Sequence, residues 1–525
     1  MRRPKRILTT LRLLFFMVAL GATLAVGVHP SSGQSQTWSD PVLLSNSSQS
    51  AWFPDIAVDG SGRIHVVWSA SEVGSELPDG RNSIFDLVMY SASDDGIRWT
   101  TPMDIIAALH DGGSFATRPS LKPLPGGPLA LTYRDGVSIY FTSASSEALT
   151  ARTLERPHRL SMFQSAYFSQ IISDADGGLH LFHTENVPEY PDCPACFHLF
   201  YRRSTDGGAL WSSLLDISLA PTGAAKPQAV VDADGNLHVV WEAGAGGDLG
   251  QLSGPTSVMY ASSSDGGQTW SSPIAFVGSG DQQKNIAIGV DGNGQLVVVW
   301  LSLPEDRIYY QVSSDQGRSW SMPRPIPGVW GGWSVYSARL DDYDIVTDPD
   351  GGMHLTFVGR RAEDQMTLDV IEMSWDGTSW SEPVAAASYE GSVPEWPRMA
   401  IGGDGSVHLV WFVRDEEHIW LSDEGQYEVW YARWPALEPG VLQVPSGEET
   451  GTPEPVGGVT PLSTELATPL SGPTPPILPP MEQVVQPVPD NESELLLLVL
   501  KGITPAIIFI TIVVAATQIW RRLRP

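Results

Sequence analysis

The sequence is poor in basic residues and almost free of cysteine. It contains 31 Lys and Arg residues against 60 Asp and Glu residues in 525 positions, and only two cysteines. Nine of the basic residues lie within the first 27 or the last 25 positions, which contain no acidic residue. The rest of the chain therefore carries 22 basic and 60 acidic residues, a net charge of −38. This excess argues against nucleic acid as a partner and suits an exposed extracellular domain.

Long hydrophobic runs are absent except near the two ends of the chain. Near the N-terminus, five basic residues lead into the apolar run LLFFMVALGATLAVGV. A basic start, an apolar core and small residues after it are typical of a secretory signal, so we predict a signal peptide at residues 1–27. An uncleaved N-terminal anchor is the alternative.

The C-terminal part changes composition after Trp434. Residues 435–494 are rich in Pro, Thr, Ser and Glu and contain no Lys or Arg, which predicts a disordered stalk. Residues 495–520 are apolar and about as long as a bilayer-spanning helix requires. Residues 521–525 are basic, so the positive-inside rule predicts a cytoplasmic tail and a single-pass membrane protein with the large domain outside.

An eight-residue motif recurs along residues 36–434. SSDGGQTW at Ser263–Trp270 has relatives STDGGALW, SSDQGRSW and ASDDGIRW, with the pattern Ser/Ala-x-Asp-x-Gly-x-x-Trp. We call this motif the Asp box. Its predicted role is structural, because Asp, Ser and Gly suit a tight hairpin turn and Trp suits burial between sheets. The residues concerned are Asp94, Asp206, Asp265, Asp315, Trp99, Trp211, Trp270 and Trp320.

A second repeat precedes each Asp box. KPQAVVDADGNLHVVW, ending at Trp241, and six similar segments each predict two strands around an Asp/Gly turn, and the Asp box adds two more. Seven units of four strands predict an all-β, seven-bladed β-propeller, with six blades as the alternative. QTWSDPVLLS near the N-terminus resembles QTWSSPIAFV at Gln268–Val277, so we expect the N-terminal strand to complete the last blade.

The Asp boxes resemble the bacterial neuraminidase repeat of the sialidase superfamily, over most of residues 36–434. That resemblance implies a propeller fold without fixing the chemistry, because similar repeats occur in glycosidases, sorting receptors and assembly factors.

The resemblance also implies positions for a catalytic site. Sialidases hold the substrate carboxylate with three arginines, the first in a Tyr/Phe-Arg-Ile-Pro motif, where this chain has Trp52-Phe53-Pro54. Arg118 occupies the equivalent place in the second unit. By the same resemblance Asp79 falls near the acid/base position, and Glu185 with Tyr343 (or Tyr336) near the nucleophile pair. No metal and no cofactor is implied.

Aromatic and charged residues cluster at the predicted starts of the innermost strands and in the connecting loops. Aromatic planes combined with charges suit sugar rings, so a ligand site is predicted there, against the alternative of ordinary strand packing. The predicted ligand-binding residues are Arg118, Lys226, Trp330, Trp333, Trp396 and Arg398.

The two cysteines, Cys193 and Cys196, are three positions apart. In an exported protein this spacing favours a local disulfide, and a metal site with His183 and His198 is the alternative.

Three functions remain open from the sequence. The first is a cell-surface propeller that binds a glycan or a protein on its loop face. The second is a sialidase-like glycoside hydrolase, and the third is an envelope scaffold without a small-molecule site.

Overall fold

Strands make up the regular secondary structure of the described chain. The structure is a computed structural model and describes residues 37–46, 50–78, 80, 82–111, 116–145, 149–163, 165–188, 196–219, 222–245, 253–276, 282–335, 340–415 and 427–435. No helix occurs in these ranges, which confirms the predicted all-β class. None of the described residues forms a helix suited to crossing a membrane. The predicted signal peptide, transmembrane segment and tail, and all of the predicted stalk except Pro435, lie outside these ranges.

The described residues form 29 strands. They are β1 (Val42–Leu43), β2 (Ser50–Val58), β3 (Ile64–Glu76), β4 (Asn82–Ser93), β5 (Met103–Asp111), β6 (Ser120–Pro123), β7 (Pro128–Asp135), β8 (Ser138–Ser145), β9 (His158–Arg159), β10 (Ser165–Ser173), β11 (Leu179–Asn186), β12 (Phe197–Ser204), β13 (Leu215–Asp216), β14 (Gly223–Val231), β15 (Leu237–Ala245), β16 (Ser253–Ser263), β17 (Ile274–Ala275), β18 (Gln282–Val290), β19 (Leu296–Leu303), β20 (Arg307–Ser313), β21 (Arg324–Pro325), β22 (Trp330–Gly331), β23 (Asp344–Thr347), β24 (Met353–Arg360), β25 (Leu368–Trp375), β26 (Val384–Tyr389), β27 (Ser392–Ile401), β28 (Val407–Asp415) and β29 (Glu428–Trp434).

Consecutive strands pair antiparallel in groups of four. The orders β2-β3-β4-β5, β6-β7-β8-β9 and β10-β11-β12-β13 each form one sheet. Strands β14 to β21 form one larger sheet, because Thr256 of β16 pairs with Gln282 of β18. Strands β22 to β26 form the next sheet. In the last sheet β1 pairs with β29, so the N-terminal strand completes the C-terminal sheet as the sequence predicted.

The first strand of each four-stranded group lies against the first strand of the next. β2 contacts β6, β6 contacts β10, and the series continues through β14, β18, β23 and β27 back to β2. Their second strands carry fully buried tryptophans (Trp68, Trp241, Trp300 and Trp411). Trp300 packs with Val240 and Tyr260 of the preceding group. Truncating such a ring to alanine costs about 3–5 kcal/mol, so these tryptophans hold neighbouring groups together.

The Asp boxes form the tight turns that their sequences predicted. In the third box the Ser263 Oγ donates to Asp265 Oδ1 at 2.8 Å, and that carboxylate accepts the Thr269 backbone N–H at 2.9 Å. Hydrogen bonds from Thr269 lower the pKa of Asp265 to about 2. The four Asp-box tryptophans meet an aromatic ring of the preceding four-stranded group edge-on. The pairs are Trp99 with Tyr431, Trp211 with Phe141, Trp270 with Tyr201 and Trp320 with Tyr260.

The first Asp box departs from the prediction. Asp95, not Asp94, accepts the backbone N–H groups of Ile97 and Arg98, at 2.9 and 2.8 Å. Asp94 is largely exposed and pairs with Arg63 at 2.7 Å. The reason is the shorter turn: six positions separate Ser93 from Trp99, whereas seven separate the corresponding Ser and Trp in the other three boxes.

A buried histidine recurs at the start of the second strand. His65, His180, His238 and His408 each place Nδ1 2.7–2.8 Å from the hydroxyl of a tyrosine on the third strand. Three of these tyrosines, Tyr201, Tyr260 and Tyr431, also contact an Asp-box tryptophan. In those three cases the histidine therefore holds the ring against which the next Asp box packs. Burial lowers the pKa of all four histidines.

We expect His408 to make the protein less stable in mild acid. Burial, followed by the charge of Arg433, lowers its pKa from 6.5 to about 4, although Asp404 acts in the opposite direction. Below about pH 6.5, His408 therefore takes up a proton in the unfolded chain, whereas it stays neutral in the folded chain until the pH nears 4. The contribution of His408 to the free energy of unfolding is complete above that pH and is lost as the pH falls. The loss amounts to about 2 kcal/mol between pH 7 and pH 5.

Urea unfolding of the full chain and of His408→Gln at pH 7 and pH 5 measures this difference. The variant should lose less stability than the wild type over the interval, because glutamine does not titrate. Equal losses would show that His408 is not the group responsible.

Candidate functional site

Five non-glycine residues with positive φ mark the starts of the first strands. They are Phe53 (φ 51°), Arg118 (43°), Lys226 (47°), Asn285 (51°) and Trp396 (57°). All but Arg118 lie where the register of the first and second strands shifts, as in a β-bulge. A proline follows four of the five. This conformation costs about 1–3 kcal/mol per residue and is typically retained at functional sites.

Four of these five residues line one cavity, which we call the central cavity. Six of the seven first-strand segments contribute to its lining, which includes Phe53, Arg118, Phe168, Lys226 and Trp396. Its volume is about 60 Å³. Because a water molecule needs about 10–15 Å³ on this measure, the cavity has room for a few waters or one carboxylate-sized group, and not for a sugar ring.

Arg118 occupies an aromatic cage within this lining. Its guanidinium carbon lies 3.6 Å from the centre of the Phe53 ring and 4.7, 4.8 and 5.6 Å from those of Tyr167, Phe168 and Trp396. Its Nη2 donates to the Tyr167 hydroxyl at 3.3 Å. Its Nε and Nη1 are buried and have no hydrogen-bond partner among the described residues. Burial lowers the pKa of Arg118, but an arginine remains protonated in proteins.

Two further cations of the lining, Arg398 and Lys226, are already paired. Arg398 stacks on Trp396 at 4.2 Å and binds Asp342 Oδ2 through Nη2 at 3.1 Å. Lys226 Nζ lies 3.4 Å from Glu242 Oε1 and also donates to Asn285 Oδ1 at 3.3 Å. Of these three cations, Arg118 is therefore the one with unpartnered nitrogen atoms.

The acidic side of the cavity contains a carboxyl group with an unusual pKa. Burial raises the pKa of Asp342 to about 6, although Arg398 and Lys226 oppose the shift. Its Oδ2 accepts the Gln228 amide at 2.9 Å, and its Oδ1 is buried without a partner among the described residues. Burial also raises the pKa of Asp344. The lining contains four cations (Arg118, Lys122, Lys226 and Arg398) and three acids (Asp55, Asp342 and Asp344), so it favours an anion.

Four of the six predicted ligand-binding residues meet at this cavity, namely Arg118, Lys226, Trp396 and Arg398. Trp330 and Trp333 do not line it. Trp333 lines a separate groove with Leu303, Pro304 and Ser334, and Lys284 Nζ lies 5.2 Å from the centre of its ring. Trp330 stacks against Arg307 at 4.7 Å.

The predicted catalytic residues are not brought together. The Glu185 side chain is fully buried outside the cavity and accepts the backbone N–H groups of Met162, at 3.0 Å, and Phe163. The Tyr343 ring is fully buried and packs on Phe357, and burial raises its pKa well above the usual value. Neither side chain reaches the central cavity, so neither takes the position that the resemblance implied. Asp79 and Tyr336 lie outside the described residues.

The structure describes one of the two cysteines. Cys196 is buried and disulfide-bonded, whereas Cys193 lies outside the described residues. His183 Nε2 lies 3.3 Å from Glu185 and His198 Nδ1 lies 2.7 Å from Asp216. Each of these histidines therefore already has a carboxylate partner.

The sequence analysis did not predict several polar residues of the cavity lining. Asp55, Gln228 and Asp342 were not predicted, although the first two follow a bulge proline directly, as Pro54-Asp55 and Pro227-Gln228. The signal available in the sequence was a polar residue directly after that proline, because the residue after the bulge returns to the strand on the side of the central cavity.

The chain resembles known proteins in both sequence and fold. Residues 137–409, just over half of the chain, match the family described as BNR repeat-like domain. No curated protein matches the chain. Similar solved structures include a protein of unknown function from Dyadobacter fermentans, at 14% identity, covering 76% of this chain and 98% of that chain with a TM-score of 0.46. They also include the NanB sialidase from Streptococcus pneumoniae (13%, 76% and 70%, TM-score 0.41) and the intramolecular trans-sialidase from Ruminococcus gnavus (13%, 75% and 96%, TM-score 0.40).

Proposed function

We propose that this chain, which belongs to the BNR repeat-like domain family, is a seven-bladed propeller that binds an acidic glycan at its central cavity. The family membership agrees with the neuraminidase-repeat resemblance of the Asp boxes. The seven-bladed arrangement is supported by the neighbour series of the first strands and by the pairing of β1 with β29. In this arrangement the bulged ends of the first strands surround one axis, where a ligand contacts several blades at once.

The observation that carries the proposal is the state of Arg118. Burying a guanidinium with two unpartnered nitrogen atoms, which carry three N–H groups, is costly unless a ligand completes its hydrogen bonds. A carboxylate offers acceptor oxygens for charge-assisted hydrogen bonds of this kind. The volume of the cavity admits that group while the sugar ring stays outside. An acidic sugar satisfies these conditions better than a neutral one.

Binding fits the described residues better than hydrolysis does. A retaining glycosidase needs two carboxylates or a nucleophile pair beside the scissile bond. The enclosed Glu185 and the core residue Tyr343 do not supply such a pair at the cavity.

Glycoside hydrolysis is the second candidate function, and Asp342 is the observation in its favour. A carboxyl group with a pKa of about 6 is partly protonated near neutral pH, as a general acid must be. Fluorogenic sialosides and uronides test this: turnover that Asp342→Asn abolishes would establish the hydrolase.

The binding function predicts a preference for carboxylated glycans. We expect the full chain to bind oligogalacturonides or sialyllactose at least about tenfold more tightly than their carboxyl-reduced counterparts, because one charge-assisted hydrogen bond contributes about 1.5–3 kcal/mol. Isothermal titration with each pair measures the ratio. Equal affinity within a pair, or binding to neutral glycans alone, would contradict the proposal. Capture of an envelope protein with no glycan binding would favour the scaffold function.

We further propose that the propeller is displayed outside the cell on a membrane-anchored stalk. The support is the sequence: a basic-apolar N-terminus, a stalk composition over residues 435–494 and an apolar stretch over 495–520 followed by arginines. Protease treatment of intact cells should release the domain while the C-terminal tail stays protected.

A further inference from the structure

The outermost strand of the first sheet is much longer than its counterparts. β5 has nine residues, whereas β1, β9, β13, β17 and β21 have two each and β26 has six. It pairs with β4 from Met103 opposite Tyr90 to Asp111 opposite Ser83, with a register shift at Ile105. The outer edge of this sheet is therefore a long strand, whereas most of the other four-stranded groups end in a strand of two residues.

The outer edge of β5 has no strand beside it in the described part of the chain. In the strand order of the first sheet β5 is terminal and pairs with β4 alone. Its residues also make no backbone hydrogen bond outside the sheet among the described residues. Long open edges attract further strands, and natural sheets normally shorten, twist or charge them.

The side chains of β5 do not discourage such pairing. Residues 105–109, Ile-Ile-Ala-Ala-Leu, form an uncharged run with no Lys or Pro. Leu109 is 58% exposed, and Ala107 is exposed beside it. On β3, two strands away in the same sheet, Val73 is 67% exposed. An exposed, apolar and extended edge of this kind is typical of a protein contact surface.

We propose that β5 pairs antiparallel with β5 of a second copy of this chain, across a two-fold axis at Ala107. The sequence is self-complementary in that register: Ile105 faces Leu109 of the other copy, and Ala107 faces itself. Asp104 then lies opposite His110. A register shifted by one residue toward the N-terminus would place Asp104 opposite Leu109 and lose this opposite-charge pair. The two four-stranded sheets join as one, with the small alanine at the closest approach.

This inference is independent of the ligand site, because β5 contributes nothing to the lining of the central cavity. A two-fold contact of this kind uses the same surface on both copies and closes after two. It therefore yields a dimer and not an open filament.

Disulfide trapping in the full chain tests the register. Cys196 is disulfide-bonded and no free cysteine occurs among the described residues, so Ala107→Cys introduces a single defined thiol. We expect mild oxidation to join two Ala107→Cys chains about 100-fold faster than two chains of the control Val137→Cys, because pairing raises the local thiol concentration to the millimolar range. Val137 is also exposed, at 43%, and lies outside β5.

Sedimentation of the unmodified full chain supplies the second measurement. A dimer that Ala107→Pro converts to a monomer, and that Ala107→Val retains, supports the edge contact, because proline blocks pairing and valine favours it. A monomeric wild type would overturn the proposal. So would a dimer in which Ala107→Cys and Val137→Cys cross-link at the same rate.

Discussion

Replacing Gly267 with alanine will destabilise the protein by about 4 kcal/mol, the sum of a left-handed backbone penalty and an overpacked contact. Gly267 has a φ of +81°, and a Cβ there would lie 1.8 Å from the Tyr201 hydroxyl oxygen of the preceding sheet. That hydroxyl is held by His180 at 2.7 Å, and the ring meets Trp270 edge-on. The tyrosine therefore cannot move aside without breaking two further contacts. Urea unfolding of the full chain measures the loss.

Gly235→Ala is the matched control for this prediction. Gly235 has a φ of +79° but nothing within 4 Å of its Cβ position, so only the backbone penalty of about 1 kcal/mol applies. A double variant with Tyr201→Ala should cost less than the two single changes together, because the smaller side chain leaves room for the methyl group. Equal effects at Gly267 and Gly235, or additive costs in the double variant, would show that the contact between sheets is not the cause.

The fold was predictable because its periodic signals are local. Each Asp box fixes its own turn through a Ser–Asp–Gly pattern, and each strand alternates toward its own sheet. The aspartate of the first Asp box was predicted wrongly because the prediction used only this local pattern. ASDDGIRW offers two adjacent carboxylates, and the choice of Asp95 over Asp94 depends on a turn one residue shorter, which pattern matching does not measure.

The site was predictable only where it followed the repeat. Arg118, Lys226 and Trp396 share a place in their units and a positive φ, and all three line the central cavity. Glu185 and Tyr343 were assigned by their loop location in a resembling family, and both side chains turned out to be buried elsewhere. The direction of a side chain depends on packing between sheets far apart in sequence, as with Asp342, which pairs with Arg398 and Gln228. Local pattern carries no record of such contacts.

Replacing Arg118 with methionine should abolish binding of the acidic glycan without lowering the stability of the fold. Loss of two charge-assisted hydrogen bonds weakens binding by about 3–5 kcal/mol, roughly 100-fold or more. In the free protein, however, the buried guanidinium has two unpartnered nitrogen atoms inside an aromatic cage. Methionine fills similar space and suits aromatic neighbours, so the free energy of unfolding should stay equal or rise by about 1 kcal/mol.

Arg203→Met is the control, because Arg203 lies outside the central cavity and its Nη1 donates to the Gly266 carbonyl oxygen at 3.0 Å beside an Asp box. It should leave glycan affinity unchanged and cost some stability, the reverse of the effect at Arg118. A substitution that lowers ligand affinity without lowering stability indicates that the residue serves ligand binding. Replacing an arginine that supports the fold of the site would lower both affinity and stability. Strong destabilisation by Arg118→Met with unchanged affinity would show that the guanidinium only supports the cage.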